Sequence, residues 1–367
     1  MKICLINNLY PPYHRGGAEI VVENQAKEFL TQGHDVFVIT SKPVEHIAGT
    51  QNLAFLQSKI YRFYPLNIIS YYHLNKLSFV FRVLWRLLDI FNWQAYFKIK
   101  KIFKQEKPDI VYGHNLTGLG LLIPRLIKKL RIKYIQTMHD VVGVRPSGLL
   151  IFGKEKEIFL IKLWSSLNRW LYDSPDEVHF PSAWLKNFYA ARGFFKNSGK
   201  KVLRNFALPP DENLLANKKP KLQGEINFLY LGQIEEHKGI LFLIQALNTL
   251  YLIHYTLCVV GTGYALLQAK QLAVNNPRIK FIGWQPKEKI QEYLRWADYT
   301  ILSSLCYENS PTVIFESLSA GVPVIAPNFG GIPELIQDGT NGYLFRPGDG
   351  KELISIIKNI YEKSKNT

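Results

Sequence analysis

The chain has 367 residues, with 45 Lys and Arg against 29 Asp and Glu, a formal charge of +16 and 47% apolar residues. At roughly 150 residues per domain this is enough for two domains with their own cores, and 20% charged residues excludes a fibrous or disordered chain. Cys4, Cys258 and Cys306 lie far apart inside apolar runs and lack metal-ligand spacing, which excludes a disulfide framework or zinc site and points to a reducing compartment.

The first residues do not read as a signal peptide, because only a few apolar residues precede Asn7, Asn8 and Pro11-Pro12. KICLIN (2–7) reads as a buried strand. The spacing of Ile20, Val21, Ala26, Phe29 and Leu30 then predicts a helix over Gly17–Thr31. DVFVIT (35–40) is the next strand.

The segment 59–104 carries nine Lys or Arg, one acid (Asp89) and 13 aromatic residues. Residues 77–91 are its most apolar stretch, but Arg82, Arg86 and Asp89 interrupt them and they are too short to span a membrane. Helical spacing puts Ser78, Arg82, Arg86 and Asp89 on one narrow face. Two readings follow. One is a helix packed into the N-terminal domain with its arginines at the surface; the other is a basic, aromatic surface resting on anionic lipid. No nucleic-acid motif accompanies the charge, so nucleic acid is not an expected partner.

DIVYG (109–113), KYIQT (133–137) and EVHF (177–180) continue the strands. A polar stretch rich in Pro, Asn and Lys (207–225) reads as an interdomain linker. The pattern then restarts with INFLYL (226–231), YTLCVV (255–260), RIKFI (278–282), DYTILS (298–303) and PVIA (323–326). Strands separated by helices imply parallel sheets with right-handed crossovers. The expected organisation is an α/β chain of two Rossmann-like, doubly wound domains facing across a cleft. Their expected spans are 1–206 and 207–350, with a terminal helix over 351–367.

In such sheets ligands bind beyond the carboxyl ends of the strands. That rule selects Gly16-Gly17, His139-Asp140, residues 233–238, Gly261-Thr-Gly263 and residues 308–312. Ser310 is a good N-cap, Pro311 suits the first helical position, and Gly321 with Pro323 ends the helix. Two readings follow from the residues alone: the helix N-terminus is an anion site, or this is a capped surface helix with two solvated glutamates. Glu308 precedes it and Glu316 lies about two turns along, so two carboxylates could serve two parts of one ligand.

Glu308 and Glu316 with seven residues between them, then SAGVPVIAPNFGGIPELI and NGYLF (341–345), resemble the donor-binding signature of retaining family 4 glycosyltransferases with the GT-B fold. YLGQIEEHKG (230–239), VVGTG (259–263), RIKFIGW (278–284), Gly16-Gly17 and VLRN (202–205) follow in that family's order. Residues 43–105 and 145–175 match it loosely. The resemblance implies a nucleotide-diphosphate sugar donor, a saccharide or lipid-linked acceptor, and cell-surface polysaccharide synthesis at the cytoplasmic face of a membrane. It implies no metal and no other cofactor. Glu308 would stand beside the donor sugar, Glu316 would hold the ribose hydroxyls, and the backbone of Ser310, Pro311, Thr312 and Val313 would meet the phosphates. Lys238 would neutralise the leaving diphosphate, Gly16 and Gly17 would close under the phosphates, and His139 would contact the transferred sugar.

Gln233 departs from the family pattern, which has an arginine there. A neutral amide stabilises developing charge less, by about 1 kcal/mol or more. Arg15, Arg145 and Arg204 are candidate substitutes. Three other readings stay open: a nucleotide-sugar epimerase, a phosphorylase, or a non-catalytic GT-B binding subunit. A nicotinamide fingerprint is disfavoured, because Leu266 stands where Gly261-Thr-Gly263 would need a third small residue. No Asp-x-Asp pair occurs for metal-diphosphate chemistry.

Overall fold

A computed structural model describes residues 1–13, 17–42, 59–67, 69, 71–172, 175–204 and 224–365. Gly16, Arg15 and most of the expected linker lie outside these residues. The chain divides into two compact units. Unit 1 comprises Met1–Gly148 and Glu157–Leu203; unit 2 comprises Leu149–Lys156 and Arg204–Thr367.

Unit 1 is built on β1 (Lys2–Ile6), β2 (Asp35–Ser41), β3 (Lys59–Phe63), β4 (Ile110–Gly113), β5 (Lys133–Thr137), β6 (Glu177–Phe180) and β7 (Gly199–Val202). They form one parallel sheet in the order β3-β2-β1-β4-β5-β6-β7. Strands covered on both faces need continuous apolar runs, and the central segments KICLI and DVFVITS supply them. The edge strands KIYRF and GKKV are only partly buried, and polar residues break their apolar pattern. That is why β3 and β7 were not anticipated.

The flanking helices are α1 (Gly17–Thr31), α2 (Phe79–Ile90), α3 (Trp93–Glu106), α4 (Ile123–Lys129), α5 (Phe159–Tyr172) and α6 (Ala183–Ala190). α1 lies where the periodicity predicts it. It buries Val22 and Ala26 against Ile3, Leu5, Val36 and Val38, while Ile20 points outward.

α2 corrects the expectation for its polar face. Asp89 is 1% exposed and accepts the Gly118 N–H at 2.8 Å; burial pushes its carboxyl up to about 6. The Arg86 guanidinium donates to the Pro146 carbonyl at 2.6 Å, and buried Trp85 donates to the Ile69 carbonyl at 2.7 Å. Arg86 and Asp89 thus face the protein because the loops beneath α2 offer them partners, while Arg82 is exposed.

Unit 2 contains β8 (Ile226–Leu231), β9 (Tyr255–Val260), β10 (Ile279–Gly283), β11 (Tyr299–Ile301), β12 (Val324–Pro327) and β13 (Gly342–Phe345). All are parallel, in the order β10-β9-β8-β11-β12-β13. Its helices are α7 (Ile240–Leu247), α8 (Leu266–Leu272), α9 (Lys287–Trp296), α10 (Thr312–Ser319) and α11 (Gly350–Lys365). One core joins Phe228, Leu257 and Ile325 to Leu243 of α7 and Leu353 and Ile357 of α11. The short segment Leu149–Lys156 lies along this unit like a strap. Tyr307 N–H donates to the Leu150 carbonyl at 2.8 Å, Phe152 N–H to the Leu305 carbonyl at 2.9 Å, and Tyr307 Oη to Glu155 Oε1 at 3.1 Å.

In each sheet the strand order reverses once, between β1 and β4 and between β8 and β11. Connections leave to opposite faces there, which opens a crevice at the carboxyl ends.

Candidate functional site

In unit 2 the reversal brings the loop after β8 beside the loop after β11. The first contains Gln233 and a 3-10 turn over Glu236–Lys238. Gly239 follows with φ +72°, and a Cβ there would meet the Ser303 carbonyl oxygen at 1.8 Å. Only glycine lets the two loops close this far. Leu305 N–H and Cys306 N–H both donate to the His237 carbonyl, at 2.9 and 3.2 Å. The Ser303 hydroxyl donates to the Lys238 carbonyl at 3.1 Å.

This framework holds Lys238 and Glu308 together. The ammonium lies 2.6 Å from Glu308 Oε1, and the Ser304 hydroxyl donates to the same oxygen at 3.0 Å. Burial alone would raise the Glu308 carboxyl, but the Lys238 charge, with Ser304, outweighs it and holds the carboxyl below its ordinary value. Burial likewise opposes the Lys238 charge, and Glu308 reverses that effect. The pair is therefore ionised. Burial and the neighbouring Glu308 push the Cys306 thiol up to about 11, so it is an uncharged neighbour.

On its other side the Glu308 backbone is clasped by Gly330-Gly331. Gly331 N–H donates to the Glu308 carbonyl at 2.8 Å, and a Cβ on Gly330 (φ +65°) would meet that same oxygen at 2.5 Å. The GGIPEL segment thereby fixes Glu308 from 22 residues away.

α10 starts one residue later than expected. Pro311 is the N-cap, with extended backbone, and Thr312 is the first helical residue. A residue before proline is pushed out of the helical region, so Ser310 lies outside the helix. The first N–H groups of α10 still lack intrahelical acceptors, and no acid lies in its first turn. Its far end closes as expected: Gly321 has φ +66° and Val322 N–H donates to the Ser317 carbonyl at 2.9 Å. Ser317 Oγ donates to Thr300 Oγ1 at 2.8 Å and pins α10 to β11. Thr312, Val313 and Glu316 are thus carried on an anchored helix, with Glu316 its fifth residue.

Gln233 is exposed, and its carbonyl accepts the Tyr230 hydroxyl at 2.7 Å. The guanidinium of Arg204, a candidate substitute, lies 4.0 Å from Glu334; Arg145 belongs to unit 1. Gly261-Thr-Gly263 packs against the β8 loop, with Ile234 N–H donating to the Thr262 carbonyl at 2.9 Å.

In unit 1, Gly17 opens α1, and His139 follows β5. Asp140 makes a turn, accepting the Val142 N–H at 2.7 Å. Sequence reasoning missed His114, although it directly follows β4 at the reversal. His114 Nδ1 and His139 Nε2 are 2.9 Å apart, and His114 Nε2 lies 2.9 Å from Gln25 Oε1. Burial lowers both imidazoles, His139 to about 4, so both are neutral near pH 7. With Oε1 of Gln25 facing the ring, His114 donates from Nε2 and accepts at Nδ1. His139 then carries its proton on Nε2, toward His114.

This arrangement has a pH signature. A native His139 that titrates at about 4 stays uncharged while its unfolded counterpart protonates below about 6.5, so its contribution to stability falls across that window as pH drops. Asp89, raised to about 6, acts in the opposite direction. Comparison with His139→Gln cancels the Asp89 effect. Wild type should lose more melting temperature than the variant between about pH 7 and pH 4.5. Parallel curves would show that His139 is not held neutral.

Among the described residues, no group of three or more His, Cys, Asp or Glu side chains is placed to hold a metal ion.

Residues 15–205 match the model of Glycosyltransferase Family 4, and residues 225–363 match that of Glycosyl transferases group 1. The chain is 25% identical to N-acetyl-alpha-D-glucosaminyl L-malate synthase of Bacillus anthracis, covering 98% of this chain and 88% of that protein. It is 26% identical to the putative teichuronic acid biosynthesis glycosyltransferase TuaC of Bacillus subtilis, covering 97% and 88%. The crystal structure of Anabaena Alr3699/HepE in complex with UDP is similar at a TM-score of 0.69 and 20% identity, covering all of this chain and 92% of that one. The two parallel sheets with flanking helices are those of GT-B structures.

Proposed function

The chain belongs to glycosyltransferase family 4, and from that premise we propose that it is a retaining enzyme moving a sugar from a nucleotide diphosphate to a saccharide or lipid-linked acceptor. The observation that carries the reading is the Lys238–Glu308 ion pair at the β8/β11 reversal, beside the start of α10. Breaking a sugar–phosphate bond places negative charge on the departing diphosphate. Lys238 and the free N–H groups of α10 stabilise that charge more than they stabilise the ground state. When a diphosphate arrives, Lys238 exchanges part of its bond to Glu308 for the phosphates, and the carboxylate becomes available to sugar hydroxyls. Glu316 receives the ribose hydroxyls. His139, neutral and with its tautomer set by His114, suits a sugar hydroxyl as a hydrogen-bond partner.

In this reading the acceptor hydroxyl attacks from the leaving-group face and passes its proton to a donor phosphate oxygen. No protein nucleophile and no metal are required. The relative named for teichuronic acid biosynthesis supports a role in cell-surface polysaccharide synthesis, and the similar structure holding UDP supports a nucleotide donor. We place the reaction at the cytoplasmic face of a membrane.

The exposed, uncharged Gln233 favours one rival, a non-catalytic binding subunit. Thermal shifts with a panel of nucleotide sugars separate the two, because a ligand at 100 times its Kd stabilises by about 2.7 kcal/mol. One nucleotide sugar should raise the melting temperature and undergo transfer, with EDTA leaving turnover intact. Stabilisation without transfer to any acceptor would favour the rival. Loss of turnover in EDTA would overturn the metal-free reading.

A further inference from the structure

α2 is an amphipathic helix mounted with its apolar face outward. Its polar side carries Asp89 and Arg86, which bond inward to the Gly118 amide and the Pro146 carbonyl. On the other side Val80, Phe81, Leu84, Leu87, Leu88 and Phe91 are 44–72% exposed. Their spacing is that of one helical face. The stripe continues onto α3, where Trp93 and Phe97 are also exposed. α5 repeats the arrangement: Phe159, Leu160, Leu163 and Trp170 are 56–78% exposed. Both helices rest on the loop that follows His139, since Arg86 bonds to the Pro146 carbonyl and Trp164 Nε1 donates to the Val142 carbonyl at 2.9 Å. Soluble proteins seldom leave so much contiguous apolar surface in water.

Around α2 and α3 the exposed charge has one sign. Between residues 79 and 106 the acids are Asp89 and Glu106 alone, and both are buried, at 1% and 8% exposure. Glu106 is further neutralised by Lys2 and Lys59. Arg82, Lys98, Lys101 and Lys104 are exposed, and so is Lys162 on α5. Among the described residues no helix is long and apolar enough to cross a membrane.

We infer that the outward faces of α2, α3 and α5 form one surface that inserts its apolar side chains into the interface of an anionic phospholipid bilayer, with the flanking cations engaging the headgroups. Apolar helix faces buried at the headgroup boundary supply the larger part of such binding, and cations add to it. Arg86, partly buried and bonded to the Pro146 carbonyl, takes no part, which differs from the expectation of an arginine-lined contact. The surface flanks the loop after His139, so it would hold unit 1 where a lipid-linked acceptor is found. The inference does not rest on the proposed reaction: vesicle binding reads this surface, whereas nucleotide binding reads unit 2.

Flotation with phosphatidylcholine vesicles, with and without phosphatidylglycerol, tests it. The wild type should float with the anionic vesicles and keep measurable binding when salt shortens the Debye length to about 3 Å. Leu84→Glu with Leu87→Glu should weaken binding about tenfold or more, and Phe159→Glu with Leu163→Glu should do the same. These side chains are exposed, so circular dichroism and nucleotide affinity should match wild type. Lys98→Gln with Lys101→Gln should weaken binding at low salt only. Absence of flotation by the wild type would overturn the inference, as would binding that the glutamate variants retain. A wild-type dimer that those variants convert to monomer, with vesicle binding unchanged, would assign the surface to a second copy of the chain.

Discussion

Lys238→Ala is expected to lower turnover by about 100- to 1,000-fold, the range seen when one preorganised donor to a developing anion is removed. Donor affinity should fall far less, because the charge Lys238 meets grows as the sugar–phosphate bond breaks. The substitution has a second consequence inside the protein. Glu308 loses the ammonium that holds its carboxyl down, and burial then acts unopposed. Its pKa should rise, and the variant should be less stable near neutral pH because a largely buried carboxylate is left without its counter-ion. Lys238→Ala with Glu308→Gln removes that stranded charge. The double variant should be more stable than Lys238→Ala alone, yet no more active. Turnover and donor affinity that fall together would instead make Lys238 a simple phosphate anchor.

Glu316→Ala should weaken nucleotide diphosphate binding by about 10- to 100-fold, as a charged hydrogen bond of about 1.5–3 kcal/mol is lost. The helix itself should stay in place. Alanine is the best helix former, Ser317 holds α10 to β11 through Thr300, and the Gly321 turn closes its end. A loss of affinity without a fall in melting temperature would therefore locate the ribose hydroxyls at Glu316. Unchanged affinity by titration calorimetry would remove Glu316 from the donor site.

Much of this was legible in the residues themselves. Central parallel strands must be apolar on both faces, so KICLI, DVFVITS and INFLYL declare themselves, whereas KIYRF and GKKV at the sheet edges need not be apolar and do not. The rule that ligands gather at strand ends placed Lys238 and Glu308 on one rim. It could not show them bonded, because that contact depends on β8 and β11 being neighbours across 70 residues of chain. His114 carried the same signal, directly following DIVYG, but its value lies in the bond to His139, which no spacing reveals. Gln25 carried no signal, since nothing in the α1 pattern distinguishes it from a solvated polar residue. The periodicity of α2 showed which face is apolar but not which face meets the protein. That choice was made by the Gly118 amide and the Pro146 carbonyl.

The strap Leu149–Lys156 has a consequence for the modularity of the chain. It is synthesised between two stretches of unit 1, yet its backbone and Glu155 brace the 305–307 loop that leads into Glu308. Unit 2 is therefore a discontinuous module. A fragment beginning at Arg204 would retain every strand of its sheet and still lack the brace under the loop that leads into Glu308. Recombination that exchanges this unit between related chains must carry both pieces, or graft a loop onto a foreign strap. Such a constraint ties the history of unit 2 to the connection between β5 and α5, a part of the chain far from the rest of that unit in sequence.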